Sequence, residues 1–301
     1  MTERGGRRDA AGDAQGAAAG GAQDGAARRG PHRARHSPAA AKGQSLPLWS
    51  VLLGSIAVAF LVFPLIGLLA NVHWSQVPAQ LSKPTVRSAL LLSLICPTGA
   101  TILVVILGLP LAWLLARGEF PGVKVLRAFV MLPMILPPVV GGVALLYAYG
   151  RGGLIGSWGY RLLGISLPYT TMGVIVACSF VAMPFFVLTA EAGLSHVGMT
   201  YEEAAQTLGA SRWLILRRVT LPMLGPSLAA GATLTWARAL GELGATITFA
   251  GNLPGTTQTT PLAIFLALQT TPGDAVVLSL MLFVISLLVL IVLRKHQAAP
   301  A

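Results

Sequence analysis

The sequence predicts an all-α integral membrane protein of six transmembrane helices, and three observations predict it. The first is composition: of 301 residues, 54% are hydrophobic and only 10% charged, against about a quarter charged in soluble domains. The second is run length. A hydrocarbon layer about 30 Å thick needs about 20 apolar helical residues, and six such runs occur, near 49–70, 88–116, 125–149, 171–190, 223–250 and 275–293. The third is charge asymmetry. With a cytoplasmic N-terminus, the inner segments carry sixteen Lys and Arg and the outer ones only Lys83, Arg87, Arg151 and Arg161. Without the N-terminal arm the ratio is still eight to four. This positive-inside bias places both termini and the segment 191–222 in the cytoplasm of a multi-pass plasma-membrane protein. The same bias accounts for the net charge of +11 without a nucleic-acid partner.

Residues 1–45 are rich in Ala, Gly and Arg and have no apolar periodicity, so a disordered cytoplasmic arm is expected. Arg28, Arg29, Arg33 and Arg35 offer it an alternative role on anionic membrane lipid. The membrane domain is then 46–296 and the cytoplasmic tail 297–301. The first apolar run is too long, and its charged leader too extended, for a cleaved signal peptide. Cys96 and Cys178 both fall inside spans, where buried thiols are expected rather than a disulfide or metal site, and the five His residues show no ligand spacing.

The third run is interrupted by Pro133, Pro137, Pro138, Gly141 and Gly142. Such breaks are tolerated where freed backbone groups face protein or a water-filled path, which makes this run a candidate path lining. The fifth run carries Arg238 and Glu242, four residues and one helical turn apart. Each charge alone costs about 2.5–3.5 kcal/mol at the bilayer centre, so pairing and an inward orientation are expected. The pair fits either a structural ion pair at a subunit interface or a shaper of the transport path.

Between the fourth and fifth runs lies a polar interlude, EEAAQTLGASRWLILRRVTLP, beginning at Glu202. Thr200 and Glu203 have capping-box spacing for a short helix. Ala204, Ala205 and Leu208 give that helix a narrow apolar face, and Gly209 stands where a left-handed turn is needed. Ser211 caps a second helix with apolar Trp213, Leu214 and Leu216, ending at Arg217 and Arg218 before Leu221 and Pro222. A helix faced with alanine lets its backbone enter a groove on another protein. There is no P-loop, GxSxG, HExxH or paired-Cys motif, so any ATP must be bound by another chain.

Glu203-Ala204-Ala205, three residues, Gly209, nine residues, Val219, one residue and Leu221-Pro222 together resemble the EAA loop of binding-protein-dependent ABC importer permeases, with Val219 where Ile is usual. The resemblance implies the type I importer permease fold, with Glu203, Ala204, Ala205, Leu208 and Gly209 forming a cytoplasmic coupling helix against the ATPase subunit. Two further strings are similar to the molybdate branch of that family: MLPMILPPVVGGVALLYAYGRGG from Met131, and ARALGELGATITFAGNLPGTTQTTPLAIF from Ala237. Sulfate and thiosulfate permeases are near relatives of that branch, and the arm 1–45 has no counterpart in the family.

The resemblance further implies a homodimer, two ATPase subunits carrying ATP and magnesium, an extracytoplasmic oxyanion-binding protein, and no cofactor or catalysis in this chain. Arg238, Glu242, Thr246 and Thr248 are candidates for the translocation path, where neutral donors such as Thr256 suffice for a weakly held oxyanion. Molybdate, tungstate and sulfate differ little in shape and charge, so selection among them falls mainly to the binding protein. A secondary transporter would rely on protonatable groups at mid-membrane, and Glu242 is the one acid well inside a run. A membrane enzyme would need a cluster of catalytic groups, and none is apparent.

Overall fold

The computed structural model describes residues 47–297, with side chains through Ile291. The arm assigned to 1–45 and the tail beyond Gln297 lie outside the described residues. The chain divides into two units, Met1–Gly54 and Ser55–Ala301, and every helix from Trp74 onward belongs to the second. Among the described residues all regular secondary structure is helical.

α1 (Leu48–Ala70) is apolar around its whole circumference and buries no residue. A short turn and α2 (Val77–Ser82) lead to α3 (Pro84–Arg117). Lys83 is extended and Pro84 sits at the first helical position, where its missing N–H costs nothing, so α3 begins four residues before the apolar run that predicted it. Its 34 residues extend about 50 Å, more than the hydrocarbon layer requires.

The expected third span is not one helix. α4 (Val123–Ile135) and α5 (Pro138–Tyr149) meet at a bend of 117°. Pro137 and Pro138 lack N–H donors, and each pushes the residue before it out of helical geometry; Leu136 accordingly has ψ 138°. α6 (Gly156–Leu163) follows, and then α7 (Thr171–Val197), opened by Thr170, whose hydroxyl accepts from the Gly173 amide at 3.0 Å. Residues 191–197, read as loop from sequence, continue α7.

α7 is the hub. It packs against α3, α10 (Leu221–Leu240), α11 (Gly244–Ala250), α4 and α5. Its buried positions are mostly small, including Gly173, Ala177, Cys178, Ser179, Ala182, Ala190 and Gly193. In lipid there is little hydrophobic gain from helix association, so close approach of small residues supplies the attraction. At Gly193 the approach is tight enough that a Cβ would lie 2.6 Å from Ser227 Cβ. Cys96 and Cys178 are free, buried thiols within one apolar cluster shared by α3 and α7.

α8 (Thr200–Thr207) and α9 (Arg212–Ile215) precede α10, and α12 (Thr260–Thr270) and α13 (Pro272–Gln297) close the described chain. Among the described residues four helices, α1, α3, α7 and α13, are long and apolar enough to cross a membrane, or five if the bent α4–α5 pair is one span. The expected fifth span is broken after Leu240 and resumes at Gly244.

Candidate functional site: a polar hairpin and a broken helix

The hairpin begins where α7 stops at Gly198, whose φ of +65° turns the chain. This turn starts α8 one residue earlier than the capping box predicts. Met199 is the N-cap, its carbonyl accepts from the Glu203 amide at 2.8 Å, and Thr200 makes no side-chain cap. The C-terminal end matches expectation in detail. Gly209 has φ +79°, its N–H donates to Gln206 O at 2.9 Å, and Ala210 N–H reaches back to Ala205 O at 3.1 Å. These two bonds form a Schellman motif, which satisfies carbonyls that the helix end leaves open. Ser211 Oγ then accepts from the Leu214 amide at 3.4 Å and caps α9.

The second helix does not end at Arg218. α9 passes through a π turn, Leu216–Thr220, straight into α10, so one continuous rod runs from Arg212 to Leu240. Pro222 sits in the first turn of α10, where the π turn has already displaced the bonding pattern. Of the predicted docking residues, Glu203, Ala204, Leu208 and Gly209 are exposed and Ala205 is half-buried; Leu208 is 88% exposed. Tyr201, Trp213 and Met199 add exposed apolar surface beside them. Large exposed apolar side chains on a short polar hairpin are the kind of surface that a partner protein covers.

The residues that hold this hairpin were not singled out in the sequence. Glu202 Oε1 accepts from Thr220 Oγ1 at 3.1 Å and pairs with Arg117 Nη2 at 3.3 Å, and Arg117 also donates to Gly198 O at 2.8 Å. Arg127 pairs with Glu191, its Nε at 3.0 Å from Oε1. The doubled carboxylate was the available signal. Adjacent helical residues point about 100° apart, so one of Glu202 and Glu203 must face the protein while its neighbour faces out.

The second region is the break that follows α10. Arg238 Nη1 lies 2.7 Å from Glu242 Oε2, the pairing expected from their spacing. Glu242 is only 1% exposed in its side chain and Arg238 28%. The other carboxylate oxygen of Glu242 accepts from the Ala245 amide at 2.8 Å, so the same side chain caps α11. The break is thus stabilised from both sides by one carboxylate.

α11 is pressed against α5. A Cβ on Gly142 would fall 2.7 Å from Thr248 Cβ and 2.8 Å from Ala245 O, and one on Gly244 would fall 2.8 Å from Pro138 Cβ. Gly141 and Gly142 therefore serve close packing, against Phe180 and α11 respectively. Thr246 is fully buried, 4.0 Å from Cys178 Sγ, and Thr248 returns its hydroxyl to Gly244 O at 2.8 Å. Of the four path candidates, Glu242 and Thr246 are buried, and Arg238 and Thr248 are partly exposed. Thr256 is exposed, and its carbonyl accepts from Thr171 Oγ1 at 2.9 Å. Among the described residues no three His, Cys, Asp or Glu side chains gather as a metal set.

The chain is similar to several known proteins. The molybdenum transport system permease protein ModB of Mycobacterium tuberculosis is 44% identical over 246 residues, 82% of this chain and 93% of that protein. The sulfate transport system permease protein CysT of Escherichia coli is 38% identical over 237 residues, 77% of this chain and 85% of its own length. Among solved structures, a bacterial alginate ABC transporter in complex with an alginate pentasaccharide-bound periplasmic protein superposes with a TM-score of 0.68 at 18% identity, covering 84% of this chain and 96% of that one, a likeness of fold. Residues 105–298, from the middle of α3 to just past α13, match the binding-protein-dependent transport system inner membrane component family, so the chain is a membrane permease component, not an enzyme, and belongs to that family.

Proposed function

We propose that this chain is the translocation subunit of an ATP-driven importer of molybdate. The observation that carries the substrate is the 44% identity with molybdenum permeases over nearly their whole length. Sulfate is the second reading, favoured by 38% identity with a sulfate permease. Two copies enclose the path, with α10 and α11 together completing a sixth span beside α1, α3, α4–α5, α7 and α13. Both termini and the hairpin face the cytoplasm, and an oxyanion-binding protein delivers from the other side. The domain runs from 46 to 296, with the basic arm 1–45 before it.

In this reading Leu208, Ala204, Ala205, Gly209 and Glu203 seat the hairpin in a cleft of a cytoplasmic ATPase subunit, which holds ATP and magnesium. Closure of that subunit pushes on the rod from Arg212 to Leu240. The rod carries Arg238 in its last turn, so motion at the hairpin shifts the partly exposed, positively charged side chain that a passing dianion meets. Glu242 positions Arg238 and keeps its field weak enough for release. Thr246 and Thr248 take part only if that motion uncovers them.

Reconstituted proteoliposomes holding the permease, ATPase and binding protein test this. ATP-dependent uptake of labelled molybdate, competed by tungstate and poorly by sulfate, is expected. Preferential competition by sulfate would transfer the reading to sulfate, and uptake that survives without ATP but collapses with the proton gradient would defeat it.

A further inference from the structure

The connection between α5 and α7 contains a face that nothing in the described chain covers. At 100° per residue, Ile155, Trp158, Leu162 and Leu163 of α6 and its cap fall within an arc of about 140°. Ser157, Tyr160 and Arg161 occupy the other side. The apolar arc is turned outward: Leu162 is 75% exposed and Trp158 63%, with Leu154 and Ile165 exposed beside them.

This face is held firmly in place. Leu154 N–H donates to Tyr147 O at 3.0 Å and Ile155 N–H to Ala148 O at 2.9 Å, so α6 is locked onto the end of α5. A Cβ at Gly153 would press on Tyr147 O and one at Gly156 on Tyr149 O, so the corner stays tight only with glycine at both positions. At the other end, Arg151 stacks 5.1 Å over the Tyr160 ring and donates from Nε to Ser166 Oγ at 3.1 Å, strapping the connection closed. Arg161 has no ion pair or side-chain hydrogen bond among the described residues.

We propose that α6 is a membrane-interface helix, with its Ile155–Trp158–Leu162 face sunk at the headgroup–acyl boundary and Arg151 and Arg161 paired with lipid phosphate. Charge and position favour lipid as the occupant. The face adjoins α5 and α7, both apolar membrane helices, and its aromatic and cationic residues are those enriched where membrane meets water. An amphipathic helix of this kind settles about 5–10 Å into the boundary. Two of the four cations that the charge count places on the outer side thereby acquire phosphate partners. The anchor also fixes the depth of α5, which carries α11 on Gly142.

The test uses the assembled complex in nanodiscs of phosphatidylcholine with phosphatidylglycerol and a lipid spin-labelled near the headgroup. Leu162→Cys and Ser157→Cys each receive an environment-sensitive fluorophore; native Cys96 and Cys178 are buried and leave the new thiol as the reactive one. Leu162 is exposed, so its substitution leaves folding intact. The proposal expects a blue-shifted emission at 162, quenched several-fold more strongly by the spin-labelled lipid than at 157, and unchanged when the solute-binding protein is added. Equal quenching at the two positions overturns it. So does an emission shift at 162 that appears only with the binding protein, which would make the face a protein dock. Arg151→Gln with Arg161→Gln should make quenching at 162 insensitive to the phosphatidylglycerol content; unaltered lipid dependence would remove the phosphate pairing. None of these readouts requires transport.

Discussion

The hairpin after α7 and the break after α10 turn the chain with similar materials, a carboxylate and glycines, yet they are built on opposite terms. In the hairpin Gly209 makes the turn in open space, with no atom within 4 Å of where a Cβ would stand, and the neighbouring surface is exposed. At the break Glu242 is enclosed, and both its oxygens are committed, to Arg238 and to the Ala245 amide. Water can satisfy a loose backbone group at the first site. At the second nothing but protein can, so one side chain must serve both the charge and the helix end. The exposed turn is free to engage a partner, and the enclosed one is committed to holding shape.

The comparison is broken most severely at Glu242. Glu242→Ala strands Arg238 and uncaps α11, and a loss of about 3–5 kcal/mol is expected from removing one member of an enclosed pair. Folded, assembled protein recovered after detergent extraction should fall sharply, and Arg238→Ala combined with Glu242→Ala should recover part of it. Equal recovery of all variants would show that the pair does not hold the break.

Gly142→Val comes next. The added atoms meet Thr248 Cβ and Ala245 O, and overpacking of this kind costs about 1–3 kcal/mol. A lowered midpoint in thermal unfolding of the detergent-solubilised protein is expected, and Gly142→Ala should show the same direction with smaller size.

Gly209→Val tests the exposed turn. Nothing clashes there, so the expected cost is the left-handed conformation alone, about 1–2 kcal/mol and local. Assembly in the membrane should persist while ATP-dependent uptake fails, and Gly209→Asn should preserve both. Uptake at the native rate in the Val variant would separate the hairpin from transport.

The smallest effect sharpens the contrast between neighbours. Glu202→Gln weakens the link to Arg117 and Thr220 and should cost about 1 kcal/mol. Glu203→Gln removes an exposed carboxylate that makes no side-chain bond among the described residues, so its unfolding midpoint should not move.

Much of this was legible along the chain. The left-handed turn at Gly209, the Ser211 cap and the Arg238–Glu242 pair were read from spacing, because each depends on neighbours within about one or two helical turns. The capping box at Thr200 was not realised, since Gly198 turned the chain first and advanced the helix start. The cleavage of the third run into α4 and α5 was signalled by Pro137 and Pro138, but its angle of 117° was not.

By itself, then, the sequence determined a helical membrane chain, its polar hairpin and the ion pair of its fifth apolar run, all consequences of composition, period and local spacing. Tertiary structure decided which of two adjacent carboxylates is tied down. It also decided that Gly141 and Gly142 pack against Phe180 and α11, and that Glu242 caps α11 as well as pairing with Arg238. These outcomes join residues far apart in sequence or on separate helices. In a membrane, where helices associate through close approach and every buried polar group needs a protein partner, only the assembled bundle specifies who that partner is.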